Sequence, residues 1–271
     1  MTADAFWEFE REGWSQAAAA YEECWTDTSL FLEPLLDAAG VHAGSDLLDL
    51  ACGPGFASEA AAARGARPVG LDVAGPMVQR ARERCPGLTF VEGDAQRLSF
   101  ADASFDAVTM NFGILHLSKP EVALAETRRV LRPGGRLAFT AWVLEGNVAD
   151  EIMEAALAAH ALPVEIPPGP DPARFADPDE ARTALGKAGF DLDSLRVETV
   201  TVPWRVPTPE LLFEAHLRAG VLVSTVLQAQ PPERLEAIRA AIVEDVERYA
   251  DGDEFTLPIV ARVVSAATPS V

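Results

Sequence analysis

The sequence predicts an α/β fold, a mostly parallel sheet with helices on both of its faces. Three observations carry that expectation. Short apolar runs without polar alternation recur through the first half of the chain, as in strands buried on both sides. Helical patterns with recognisable start and stop residues separate them. The first run leads straight into a glycine turn and an alanine-rich segment, LLDLACGPGFASEA from Leu47 to Ala60, and strand, tight turn and helix in that order build a small-molecule pocket.

Residues 1–45 read as a helical arm or lid. TSLFLEPLLDAAG has a start signal at Thr28 or Ser29 and a stop at Gly40, and Trp7, Trp14, Tyr21 and Trp25 recur at one or two helical turns. The first strand is DLLDLA, followed by the turn and a helix near Ser58–Arg64. ARPVGLDV is the second strand, and GPMVQRARERC a short helix stopped by Pro86-Gly87. LTFVEGD and SFDAVTMNF are the third and fourth. PEVALAETRRVLRPGG reads as a helix with a Pro-Gly-Gly stop, and RLAFTAWV as the fifth strand. The proline-rich LPVEIPPGPDPARFADPDE reads as a surface connection. A helix capped by Asp177 with Pro178 at its first position follows, then an edge-like strand, LRVETVTVPWRVPT. Residues 208–250 hold two helical patterns, an insertion expected to cap a pocket, before a final strand, FTLPIVARVVSAAT. The expected sheet domain is therefore 46–207 with 251–271.

Bulk properties narrow the function. The 22 basic residues against 42 acidic ones give a net charge of −20, which repels nucleic acid and anionic lipid. No stretch approaches the roughly 20 apolar residues of a membrane span, and no basic, apolar leader opens the chain, so a cytoplasmic location is expected. The three cysteines, Cys24, Cys52 and Cys85, form no metal-ligand spacing, and no metal site is expected. The expected partner is a small molecule, with the chain a monomer or homodimer.

The turn Gly53-Pro54-Gly55-Phe56-Ala57-Ser58 matches a dinucleotide fingerprint only in part, because Ser58 replaces the third glycine. Asp49, four positions before Gly53, suits a ligand carrying an ammonium or sulfonium rather than a diphosphate. The helix beyond the turn can accept a carboxylate, so the pair fits an amino-acid tail. Asp72 ends the second strand, where an acid can accept from ribose hydroxyls. Asp94 ends the third, where it can accept from an adenine amino group while the Ala95 N–H meets a ring nitrogen; Val73 and Met77 flank the adenine faces. Amino acid, ribose and adenine together make S-adenosylmethionine.

Residues 46–142 resemble the core of class I S-adenosylmethionine-dependent methyltransferases. DLACGPG resembles the family's first motif, GLDVAGPMVQRAR the second and VEGDAQRLSF the third. The stretch from Phe105 to Trp142 resembles that of the small-molecule branch, which includes enzymes acting on quinones and natural products. The resemblance implies a Rossmann-like, seven-stranded sheet with an antiparallel last strand. It implies donor contacts from Tyr21, from Ala51, Gly53 and Gly55 of the turn, and from Asn111 and Phe112 after the fourth strand. The expected activity is methyl transfer to O, N or C of a small, largely apolar metabolite in bacterial secondary metabolism. A repurposed member that binds the donor without transfer, or a cyclase, is the alternative, and an NAD-dependent oxidoreductase a further one.

Methyl transfer needs a general base only when the acceptor must lose a proton. His116, in NFGILHL after the fourth strand, is the candidate base or acceptor contact, weighed against local packing. Trp14, Trp25 and Trp142 are expected around the acceptor, as are Phe213 and Leu217 from one face of the insertion.

Overall fold

In the computed structural model, which describes residues 3–25 and 27–270, one mixed sheet organises the chain. Its strands are β1 (Asp46–Leu50), β2 (Arg67–Asp72), β3 (Thr89–Glu92), β4 (Phe105–Met110), β5 (Leu131–Trp142), β6 (Asp191–Val206), β7 (Ala250–Asp251) and β8 (Glu254–Ala267). The order across the sheet is β3-β2-β1-β4-β5-β8-β6, with β7 folded back on β8. The first five strands are parallel, and β8 runs antiparallel to both β5 and β6. The expected seven strands are present, together with the two-residue β7, which turns into β8 at Gly252 with φ +69°.

Helices α1 (Ala3–Ala17), α2 (Tyr21–Cys24) and α3 (Leu32–Ala38) precede the sheet. Helices α4 (Phe56–Ala63), α5 (Gly75–Arg84) and α6 (Pro120–Val130) connect its parallel strands. Helices α7 (Val148–His160) and α8 (Pro178–Ala188) lie between β5 and β6, and α9 (Leu211–Ala219), α10 (Leu222–Gln228) and α11 (Pro232–Glu247) between β6 and β7.

The unalternating runs have a direct cause. Neighbouring residues on one strand enter different cores: Leu47, Ala107 and Ala138 pack with Leu35 and Leu36 of α3 and Ala61 of α4. Leu48, Val108 and Leu137 pack on the other face with Leu124 of α6 and Leu185 of α8. Both faces are apolar, so both alternate positions must be. A third core joins α7, α9 and α11 to Trp204, Leu257 and Ile259 at the far ends of β6 and β8.

Three local expectations are corrected. Helix α6 stops at Val130 rather than continuing to the Pro-Gly-Gly, because Pro133 disfavours helix at Arg132 and Leu131 instead pairs with Phe105 on β4. The first helical pattern of the insertion is two helices, broken at Gly220, whose extended backbone (ψ 177°) ends α9. Residues 148–160 form α7, an element with no counterpart among the expected strands and helices. Asn147 caps it through the Asp150 N–H, and Ile152, Met153 and Ala156 bury one face. The proline-rich connection is also less peripheral than expected: a Cβ on Gly169 would meet the buried Phe6 ring at 2.2 Å, so this segment lies directly on α1.

Candidate functional site

β1 and β4 are adjacent, but their crossovers leave in opposite directions, which opens a crevice beyond their carboxyl ends. A residue in the left-handed region follows each strand, Ala51 (φ +51°) directly after β1 and Phe112 (φ +52°) two residues after β4. Such non-glycine conformations persist only where surrounding structure enforces them. At Phe112 the enforcing contact is Thr140 Oγ1, which accepts the Phe112 N–H at 2.7 Å and donates to Asn111 Oδ1 at 2.9 Å. Asn111 Nδ2 in turn donates to the Thr28 carbonyl at 3.0 Å and so ties the arm to the strand ends.

A cavity of about 340 Å³ fills this crevice. Its floor is Ala51, Gly53, Leu71–Val73, Met77, Gly93–Ala95 and Asn111–Gly113. The arm closes one side with Trp7, Glu10, Trp14, Tyr21, Trp25 and Thr28, and Leu115, His116 and Leu117 form the neighbouring rim. Trp142, Asp150, Met153, Glu154 and Leu157 form the far wall, completed by Pro172, Ala173, His216 and Gly220–Val223. A second, small cavity of about 30 Å³ adjoins the turn, between Tyr21, Thr28, Asp49, Gly53 and Asn111.

The acids at the strand ends differ in what they face. Asp49 is 1% exposed, and both oxygens already accept: Oδ2 from Ser58 Oγ at 2.7 Å and Oδ1 from Thr109 Oγ1 at 3.1 Å. Burial pushes its carboxyl up to about 6 against the lowering effect of those hydroxyls. Asp72 lines the large cavity; Oδ2 accepts the Gly53 N–H at 2.8 Å and Oδ1 the Ala74 N–H at 2.9 Å. Burial raises its pKa, and those backbone bonds oppose the rise. Each Asp72 oxygen keeps acceptor capacity. Asp94 lines the same floor, its Oδ1 accepting the Gln96 N–H at 2.8 Å.

Trp14, Trp25 and Trp142 all line the large cavity. Trp142 stacks on Phe112, centroids 3.8 Å apart, with Phe31 edge-on to both. Trp25 donates its indole N–H to the Ala219 carbonyl at 2.8 Å and meets His216 edge-on at 4.9 Å. Burial lowers the pKa of His216 to about 4, so it is neutral at ordinary pH. Burial, with Asp27 adding, lifts the Tyr21 phenol above its ordinary value. Trp14 lies edge-on to His116 at 4.8 Å.

Three expected contacts fall elsewhere. Gly55, with φ +90°, caps α4 outside both cavities, and a Cβ there would meet the Phe90 ring at 3.0 Å; it serves close packing. Phe213 and Leu217 face the third core instead of the cavity, since the apolar side of α9 is the side packed on the body. Gly220–Val223 take their place, and Val221 packs where a Cβ on Gly13 of α1 would come within 2.5 Å. Sequence reasoning missed Glu10, Asp150 and Glu154; the last two sit on α7, whose placement depends on long-range packing. The carboxyl of Asp150 is raised to about 7 by burial, with Glu154 adding.

Residues 48–139 match the family model for the methyltransferase domain. A demethylmenaquinone methyltransferase from Beutenbergia cavernae is 47% identical over 108 residues, which are 40% of this chain and 45% of that protein. The chain thus spans less than half the length of that curated relative. Among solved structures, YcgJ from Bacillus subtilis superposes with a TM-score of 0.57 at 18% identity, covering 89% of this chain and 98% of that one. Phosphoethanolamine N-methyltransferase 2 from Haemonchus contortus, solved with S-adenosyl-L-methionine, gives a TM-score of 0.57 at 20% identity, covering 94% of this chain and 57% of that one. The fold is therefore a Rossmann-like α/β sheet, and residues 48–139 within it match a methyltransferase domain. The matching segment supplies the floor of the cavity, and the flanking arm and later helices complete it.

Proposed function

We propose that this chain binds S-adenosylmethionine and transfers its methyl group to a small, largely apolar acceptor. The observation that carries the reading is the placement of Asp72 and Asp94 at successive strand ends on one cavity floor, inside the segment that matches the methyltransferase domain. The bound sulfonium supplies an already activated methyl group; the protein's task is to align the partners and exclude water.

The residues fit that ligand. A Cβ on Gly53 would meet nothing within 4 Å, so the turn offers bare backbone for close approach beside Tyr21 and the small cavity. Asp72 has acceptor capacity for ribose hydroxyls, and Val73, Met77 and Ala95 give an apolar slot for adenine, with Asp94 at its edge. Asp49 holds the turn from below through Ser58. Asn111 is occupied by Thr28 and Thr140, so it shapes the tail pocket and leaves its backbone to the ligand. The arm, residues 1–45, and the α9–α11 segment act as lid and cap.

The far wall, with Trp142 stacked on Phe112 and with Met153 and Leu157, suits a flat apolar acceptor. The relatives named for demethylmenaquinone support an aromatic acceptor of quinone type. In this reading His116, on the rim, takes a proton from it. The test is incubation with methyl-labelled S-adenosylmethionine and a panel containing reduced demethylmenaquinone and other phenols. Label in an acceptor supports the reading; tight donor binding without transfer to any acceptor favours a repurposed, non-transferring member.

A further inference from the structure

Glu10 stands outside the set assigned to the donor, yet it is a deeply buried carboxylate on the arm side of the cavity, 3% exposed. Its Oε2 accepts the Trp14 indole N–H at 3.0 Å and lies 3.0 Å from His116 Nδ1. Its Oε1 has no partner, and His116 Nδ1, though 3.0 Å from Glu10 Oε2, makes no hydrogen bond in this arrangement, so both atoms are buried and unsatisfied. A buried carboxylate served by one neutral donor is costly unless a further proton donor completes it. His116 is the group within reach, and Trp14, packed edge-on at 4.8 Å, restricts rotation of its ring. With Nδ1 buried against Glu10, Nε2 is the nitrogen left to the cavity.

We propose that Glu10 is a positioning residue. It accepts the Nδ1–H of His116 and so selects the tautomer whose Nε2 carries a lone pair toward the acceptor. The inference rests on the methyl-transfer reading and deepens it. The cavity lining explains why a base is needed. It holds Glu10, Asp72, Asp94, Asp150 and Glu154 and, among the described residues, no lysine or arginine. That lining repels an acceptor already ionised to an anion. The acceptor class is therefore one that enters uncharged with its proton in place, a hydroxy-aromatic above all, and loses that proton inside. The O–H proton passes to Nε2, the oxygen lone pair forms the new bond to the methyl carbon, and the carbon–sulfur bond breaks with its electron pair kept by sulfur. The resulting imidazolium is compensated by Glu10, as a carboxylate behind a histidine does in hydrolytic triads.

The test is ¹⁵N NMR of the histidine side chains in the full chain, with His116 assigned by His116→Gln. The wild type is expected to show His116 protonated at Nδ1. Glu10→Gln, whose carbonyl still accepts from both neighbours, keeps that tautomer. Glu10→Leu shifts it toward the Nε2–H form while a thermal melt shows the variant folded. A wild-type spectrum with the proton on Nε2 overturns the proposal whatever the variants do, as does a folded Glu10→Leu that keeps Nδ1–H. The measurement uses neither donor nor acceptor. Failure of the methyl-transfer reading registers separately, as absence of S-adenosylmethionine binding to the same sample.

Discussion

The hydroxyl of Ser58 donates a 2.7 Å hydrogen bond to Asp49 Oδ2 and joins the first turn of α4 to β1 beneath the glycine turn. Ser58 stands where a dinucleotide fingerprint carries its third glycine, and it is fully buried. Ser58→Ala removes one hydroxyl donor and leaves Asp49 with Thr109 Oγ1 and the backbone N–H of residue 58. Losing one donor to a buried carboxylate costs about 1–3 kcal/mol, and chemical denaturation is expected to register a loss of that size. Unchanged stability would show that the serine merely fills space.

Asp72→Ala is expected to weaken S-adenosylmethionine binding more than tenfold. Charge-assisted hydrogen bonds of this kind contribute about 1.5–3 kcal/mol. Because Asp72 also holds the Gly53 and Ala74 N–H groups, a melting curve must accompany the calorimetric titration. A folded variant with the wild-type dissociation constant contradicts the ribose assignment.

Stability should fall as pH rises from 4 to 7. Asp27 is 3% exposed, its Oδ1 has no partner, and burial pushes its carboxyl up to about 7. A carboxyl whose folded pKa is raised favours the folded state at low pH, and that contribution is lost as pH climbs through the folded value. A rise from 3.8 to about 7 corresponds to on the order of 4 kcal/mol. Thermal melts between pH 4.5 and 8 should therefore show a downward slope that Asp27→Asn flattens. Parallel slopes for both proteins would refute the assignment to Asp27.

Trp142→Ala removes the plane stacked on Phe112 while leaving the floor of the cavity intact. Donor affinity should hold and the acceptor KM should rise, since an aromatic stack contributes about 0.5–1.5 kcal/mol beyond its buried area. A fall in donor affinity with KM unchanged would move Trp142 to the donor side.

Much of this arrangement is legible along the chain because it is local. Strand, turn and helix follow each other within a few residues, so the runs ending at Leu50, Asp72, Glu92 and Met110 mark the strand ends and the acids beside them. What escapes is set by packing between distant segments. Nothing in WEFEREGW distinguishes Glu10 from its acidic neighbours until α1 lies against His116. The apolar face of α9 reads equally as pocket or core, and the third core claims Phe213 and Leu217. Gly55 and Gly53 look alike in sequence, yet only the second faces open space. Asp49 reads as a free carboxylate because one of the two hydroxyls that occupy it, that of Thr109, comes from another strand, and the other, that of Ser58, reaches it only once α4 has turned back on β1.

The central claim is that the crevice beyond β1 and β4 takes an adenosylated sulfonium rather than a dinucleotide. Isothermal titration of the purified chain with S-adenosylmethionine and, separately, with NADH tests it most directly. The account predicts saturable one-to-one binding of the sulfonium, and no heat of binding from NADH. Saturable NADH binding with none for S-adenosylmethionine would contradict it.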